Sequence, residues 1–364
     1  MMLSVYINGR FLTQSLTGVQ RYAIEIVKAL DSLISFDENI NKRFKFIILA
    51  PRDADRDLNP RNISIKRVGR FQGHLWEQLE LPLHSRGGIL LNLCNMAPIL
   101  KRKQTVTIHD VAVFAMPGAF SFSFRAWYKF VFRVLAHNRS EIVTDTEFSR
   151  SEIKKFLAAA DKRLSVIPAG CEHVSEITSD HRIVSELGLT SGKYILTVAS
   201  LNERKNFGGF LAAIRQPNIA GYQTVVVGTV NEKVFGSHAF EMPENVVQIA
   251  EVSDAKLKAL YSNAAVFVYP SFYEGFGLPP LEAMACGVPV VVSDIPPHRE
   301  ICGEAAMYCD PHDIKDIADK IEKVLLSDRT RMELVAKGKE RAGLFSWDNS
   351  AQMLVEFITE RFSP

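Results

Sequence analysis

The sequence predicts an α/β protein built as two doubly wound, parallel-sheet domains. Short apolar, β-rich runs alternate with amphipathic helical stretches along nearly the whole chain. These runs form two series separated by a polar stretch, and 364 residues suffice for about two domains. A composition of 47% hydrophobic and 23% charged residues is that of a soluble globular protein. It excludes a disordered, collagenous or disulfide-stapled chain.

The first series opens with LSVYING, which is too short and polar at its start for a secretion signal and reads as a strand. A helical pattern at Tyr22, Ile26, Ala29 and Leu30 follows, then the strand FKFIILA. GILLNL, TVTIHD and EIVTDT continue the strands, and LSVIPAG closes the domain. Ser149 and Glu152 have capping-box spacing for the helix after EIVTDT. The second series is YILTVAS, QTVVVGT, VVQIA, AVFVYP, PVVVSD and AAMYCD. DIKDIADKIEKVLLSD then makes an amphipathic helix with Ile314, Ile317, Ile321, Val324 and Leu325 on one face. The predicted organisation is a first domain over 1–172, a linker over 173–192 and a second domain over 193–346. A terminal helix over 347–364 carries a stripe of Met353, Leu354, Phe357 and Ile358.

Five cysteines without a C-x-x-C pair read as reduced thiols, and no apolar run reaches eighteen residues, so the expected location is cytoplasmic. The net charge of +2 conceals an asymmetry. Residues 1–170 hold 25 Lys and Arg against 15 Asp and Glu, leaving 18 against 26 for the remainder. A basic first half suits an anionic partner such as a lipid surface or a phosphate-bearing acceptor.

The most informative segment is VFVYPSFYEGFGLPPLEAMACGVPVVVSD. A strand ends at Tyr269 and Pro270, and a loop carries Glu274, Gly275, Phe276, Gly277 and Leu278. Pro279 and Pro280 suit the first turn of a following helix, in which Glu282 is also expected. Glycines permit close backbone approach, and a helix start presents N–H groups to an anion. Glu274 can orient a sugar hydroxyl, and Glu282 can accept the two hydroxyls of a ribose. The E-x7-E spacing alone is weak, because 24 glutamates yield about one or two such pairs by chance. The strand–loop–helix context is what makes it specific.

This segment resembles the donor-sugar motif of the family-4 retaining glycosyltransferases, whose GT-B fold sets two Rossmann-like domains facing across a cleft. TGVQRYA, TIHD, VIPAG and SLNERKN extend the resemblance along essentially the whole chain. It implies that Glu274 contacts the donor sugar and Glu282 the nucleotide ribose. It further implies that Lys205 holds the donor diphosphate and that His109 sits near the transferred sugar, as hydrogen-bond partner or shield. Many relatives carry an arginine where this chain has Ala199, which leaves Arg204 as the second clamp residue. Gly18, opening a helix after the first strand, would let backbone N–H groups approach the phosphates. Asp110 reads as a cap. The terminal helix would return to the first domain, with hinges near Gly170 and Ser346.

The implied activity moves a hexosyl or deoxyhexosyl unit from a nucleoside-diphosphate sugar to a lipid-linked glycan in bacterial O-antigen, capsule or lipopolysaccharide synthesis. No cofactor and no metal are expected, because Arg204, Lys205 and helix dipoles take the place of a cation. Asp53 and Asp55 have the D-x-D form of a metal-binding motif, but Arg52 and Arg56 alternate with them, as on a solvated loop. The stretch 114–138 is rich in aromatics and Lys/Arg. One face (Trp127, Phe130, Val131, Val134, Leu135) reads as core, and the remainder points to a surface docked on anionic lipid rather than on nucleic acid. An epimerase of the same fold and a non-catalytic nucleotide-sugar or membrane-surface binding protein are the alternatives.

Overall fold

The structure, a computed structural model, describes residues 2–56, 58–198, 203–228 and 242–362. The chain divides into two compact units. The first comprises Met1–Phe114, Ala126–Gly170 and Ser346–Pro364, and the second Ala115–Arg125 and Cys171–Phe345.

The first unit holds a seven-stranded, wholly parallel sheet. Its strands are β1 (Leu3–Asn8), β2 (Phe44–Ala50), β3 (Ser64–Arg67), β4 (Ile89–Asn92), β5 (Gln104–Thr107), β6 (Glu141–Thr144) and β7 (Leu164–Val166). The order β3-β2-β1-β4-β5-β6-β7 reverses direction between β1 and β4. A sheet covered on both faces buries its central strands, and every residue of β4 and β5 is buried, the polar Gln104 donating to the Pro98 carbonyl and the Ser140 hydroxyl. β3 is the strand that hydrophobic periodicity misses. It pairs only with β2, and its sequence SIKR is mostly exposed, as an edge allows.

The helix Gly18–Phe36 packs against the terminal helix Trp347–Phe362. Tyr22 meets Trp347 edge to face at 5.6 Å, and the Ser350 hydroxyl donates to the Pro168 carbonyl. Leu354, Phe357 and Ile358 are buried as the stripe requires, together with Ala351 and Val355, whereas Met353 is exposed. The helix after β6 is capped differently from the capping-box expectation. Thr146 is the N-cap, its hydroxyl accepting from the Ser149 N–H, while the Ser149 hydroxyl donates to the His109 carbonyl.

The second unit holds a six-stranded parallel sheet of order β10-β9-β8-β11-β12-β13. The strands are β8 (Tyr194–Val198), β9 (Gln223–Val227), β10 (Val246–Ile249), β11 (Val266–Tyr269), β12 (Val290–Ser293) and β13 (Ala306–Cys309). Here the order reverses between β8 and β11. The helix Ile314–Leu326 buries Ile317, Ile321, Val324 and Leu325 in the core and leaves Ile314 exposed.

The stretch 173–192, expected as a linker, is folded into this unit. It forms the helices His173–Glu176 and Arg182–Glu186 and buries Val174, Ile183 and Leu189. Its backbone bonds to Ala255 and Asn263, so its polar residues form the outer face of a packed segment. All five cysteines are unpaired.

Candidate active site

In an open parallel sheet, ligands bind beyond the carboxyl ends of the strands, at the point where strand order reverses. In the second unit that point lies between β8 and β11. Arg204 and Lys205 follow β8 and immediately precede the helix Phe207–Ile214, whereas Tyr269 ends β11 and Glu274 lies on the loop after it. Side chains far apart in sequence therefore meet. Lys205 Nζ stands 2.6 and 2.9 Å from the two carboxylate oxygens of Glu274 and 2.7 Å from the Tyr269 hydroxyl. An Arg204 guanidinium nitrogen lies 3.7 Å from the same carboxylate. The Arg204 carbonyl also accepts from the Phe272 N–H, fixing one loop to the other.

Glu274 is 5% exposed. Burial pushes its pKa up, but Lys205, Arg204 and His298 outweigh that and hold it at about 2. The site is thus a compact set of charges, two positive and one negative, at a strand edge. A diphosphate arriving there would compete with the Glu274 carboxylate for Lys205.

The glycine turn has the backbone its sequence requires. Gly277 sits at φ +104° as N-cap of the helix Leu278–Ala285. Gly275 and Gly277 are buried, and the ring of Phe276 meets Phe345 edge to face at 5.8 Å. Because Pro279 and Pro280 carry no N–H, Gly277 and Leu278 are the backbone donors at this helix start.

Glu282 lies one turn deeper than expected, beyond the first turn of the helix. Its carboxylate accepts from the Tyr261 hydroxyl at 3.1 Å and lies 3.3 Å from His173 Nε2. This leaves a braced, partly exposed carboxylate able to meet a diol.

Sequence reasoning missed His298. This wholly buried residue follows β12 on the helix Pro296–Cys302. Its Nδ1 lies 3.0 Å from the Ser293 carbonyl, which can only accept, so Nδ1 carries the proton and Nε2 presents a lone pair. Nε2 has no hydrogen-bond partner among the described residues, and a Cβ built on Gly277 would come within 3.7 Å of it. Burial lowers the His298 pKa to about 4. The available signal was its place just past the carboxyl end of a strand.

In the first unit, Gly18 opens the helix Gly18–Phe36 after β1 and is exposed. His109 follows β5, and both of its ring nitrogens are engaged. Nδ1 meets the Asp145 carboxylate at 2.6 Å, and Nε2 the Leu93 carbonyl at 3.0 Å. A carboxylate and a carbonyl both accept, an arrangement that favours the doubly protonated ring. Burial disfavours that charge, but Asp145 outweighs it and raises the pKa. The expected role of this ring beside a sugar, as hydrogen-bond partner or shield, meets a ring whose two nitrogens already have protein partners. The ring also meets Tyr22 edge to face at 4.7 Å. Asp110 accepts from the Ala112 N–H, as a cap does.

Ala199 lies outside the described residues. Asp53 and Asp55 are exposed, and no group of three or more His, Cys, Asp or Glu side chains is placed to hold a metal among the described residues. In the helix Phe122–His137 the buried face is Val131, Phe132, Leu135 and Ala136, with Phe130 exposed. Phe130 therefore departs from the expected core face. Lys129 and Arg133 lie over the ring of Phe114.

Fold and site together define the class. Residues 182–341 match the family described as "Glycosyl transferases group 1", and this part of the chain is a glycosyltransferase group 1 domain. Across most of its length the chain is similar to the O-antigen chain mannosyltransferase B of Escherichia coli. The two are 28% identical over 367 residues, covering 92% of this chain and 93% of that protein. Among solved structures, sucrose-phosphate synthase from Thermosynechococcus elongatus superposes with a TM-score of 0.75 at 17% identity, covering 100% of this chain and 99% of that one. WaaG, a glycosyltransferase involved in lipopolysaccharide biosynthesis, superposes with a TM-score of 0.71 at 15% identity, covering 98% and 100%. At these identities the likeness establishes the fold: two parallel-sheet, Rossmann-like domains of the GT-B type.

Proposed function

We propose that this protein is a retaining glycosyltransferase that moves a hexosyl unit from a nucleoside-diphosphate sugar to a lipid-linked glycan during O-antigen assembly. The similarity to a mannosyltransferase favours mannose as the sugar. The observation that carries the reading is the contact of Lys205, Arg204 and Glu274 at the switch point of the second sheet.

In this reading Lys205 and Arg204 bind the diphosphate, and Glu282 binds the ribose. Glu274 and the backbone of Gly275–Leu278 orient the sugar. The bond from the anomeric carbon to the phosphate oxygen breaks, and its electron pair leaves with the nucleoside diphosphate. The acceptor hydroxyl oxygen bonds to the anomeric carbon on the same face, and its proton passes to the departing phosphate oxygen. Positive charge at Lys205 and Arg204 stabilises the leaving group where a metal would otherwise do so. The protein would work on the cytoplasmic face of the membrane, where its acceptor is anchored.

The test is a thermal-shift screen of nucleoside-diphosphate sugars followed by a transfer assay with the stabilising donor. Saturating donor should raise the midpoint in proportion to RT ln(1 + [L]/Kd). Lys205→Ala and Glu282→Ala should each abolish transfer. Undiminished transfer by either variant, or isomerisation of the donor without any acceptor, overturns the reading.

A further inference from the structure

The most unusual surface of the first unit lies on the opposite side of a helix from its core. Residues 73–84 run as one helical stretch, Gly73–Leu75, then a π-helical turn Trp76–Glu80, then Leu81–His84. Its inner face is well packed: Trp76 and Leu81 are wholly buried against Ile47, Leu49 and Leu90. The outer face carries Leu75, Leu79 and Leu83, spaced by four and 61%, 52% and 53% exposed. Beside them stands Leu100, 79% exposed. Its loop is fastened to the helix by the Gln78 amide, which donates to the Ala97 carbonyl and accepts from the Ile99 N–H. Leu79, Leu83 and Leu100 share a depression of about 480 Å³.

The rim of that depression is positive, formed by Arg86, Lys101, Arg102 and Lys103. Residues 61–109 hold eight Lys and Arg and only two acids, Glu77 and Glu80. Neither acid offsets the rim. Glu77 is 1% exposed and lies 3.2 Å from the Arg10 guanidinium, and Glu80 accepts from the backbone N–H groups of Arg70 and Phe71. An exposed apolar stripe of this extent marks an interaction surface. Its basic border selects an anionic partner and repels a second copy of the same face. Leucines that enter the acyl boundary while Lys and Arg reach the head groups match the pattern of an interfacial helix. No helix among the described residues is long and apolar enough to cross a membrane.

We propose that the face formed by residues 73–84 and 98–103 docks the protein on an anionic lipid surface, with Leu75, Leu79, Leu83 and Leu100 inserted at the head-group boundary. The proposal deepens the reading of a membrane-anchored acceptor and rests on it only for what the docking achieves. Lipid binding itself is measurable without any transfer.

The full chain is sedimented with vesicles of phosphatidylcholine alone and of phosphatidylcholine with phosphatidylglycerol. Binding is expected only to the second kind and should weaken as salt rises. Leu79→Glu/Leu83→Glu and Arg102→Glu/Lys103→Glu should each lower the partition coefficient at least about tenfold. The melting midpoint and transfer to a soluble acceptor analogue should stay at the parent level. Equal binding to both vesicles, parent-level binding by either double variant, or no vesicle binding overturns the docking surface, the last pointing instead to a protein partner. Vesicle binding without transfer to any acceptor overturns the proposed function and leaves the docking surface standing.

Discussion

Lys205 and Glu274 stand sixty-nine residues apart in the chain, yet the Lys205 ammonium lies within 2.9 Å of both Glu274 carboxylate oxygens. Both groups are nearly removed from water, so each charge depends on the other. The helix following β8 and the loop following β11 are brought together because those strands pair directly. If the proposed diphosphate takes Lys205, Glu274 loses its nearest cation.

Breaking this pair from one side should be costly. Lys205→Met is expected to destabilise the fold by about 3–5 kcal/mol, because Glu274 would remain buried with weakened compensation. Lys205→Met/Glu274→Gln should recover part of that loss, with a coupling above about 1 kcal/mol in a urea-denaturation cycle. Simple additivity would mean that the contact carries no energetic weight.

Stability should fall through two adjoining pH windows that overlap between 4 and 4.5. His298 has a folded pKa of about 4 against an ordinary 6.5, so between those values the unfolded chain binds a proton that the folded one refuses. Its contribution is present above pH 6.5 and is lost as pH falls towards 4. Glu274 is held at about 2 against 4.5, and its contribution is present above 4.5 and lost towards 2. Each group adds a slope of at most about 1.4 kcal/mol per pH unit. Denaturation midpoints of His298→Gln should be flatter in the upper window and those of Glu274→Gln in the lower.

His109 should act with the opposite sign. Its pKa is raised by Asp145, so its stabilisation is complete below pH 6.5 and is lost as pH climbs through the folded value. Asp145→Asn should bring the imidazole titration seen by NMR below that of the parent. An unchanged titration would remove Asp145 as the cause.

Gly277→Ala tests the turn without crowding it. The nearest atom to an added Cβ is His298 Cδ2 at 3.5 Å, ordinary contact, so the penalty is backbone strain at φ +104°. A loss of about 1–3 kcal/mol in stability is expected. The donor Kd should weaken as well, because the N–H groups of Gly277 and Leu278 turn with the backbone. A donor Kd unchanged from the parent would place the sugar elsewhere.

Transfer should survive chelation. With Lys205 and Arg204 supplying the positive charge, EDTA is expected to leave the initial rate within about twofold of the untreated enzyme. Loss of activity restored by added divalent cation would return attention to Asp53 and Asp55.

The strands were legible because burial on both faces demands continuous apolar runs, as in VFVY of β11 and VVVS of β12. β3 was not, because an edge strand needs backbone pairing but no apolar side chains. The loops that carry Glu274 and Lys205, each past the end of an apolar strand, were readable from local context. Their mutual contact was not, since it depends on which strands become neighbours. Ser149 had capping-box spacing, yet Thr146 caps the helix, because either residue's spacing allows it and the turn geometry decides.

By itself, then, the amino-acid order determined the alternation of strands and helices, the two-domain plan and the glycine turn after β11, all written in local periodicity and turn chemistry. Tertiary structure alone decided that Lys205 and Glu274 neutralise each other, that His298 turns towards Gly277 a nitrogen with no partner among the described residues, and that Leu75, Leu79 and Leu83 face outward while Trp76 and Leu81 face in. Burial, charge pairing and exposure are properties of neighbours in space, and in a parallel sheet those neighbours are set by strand order rather than by sequence distance.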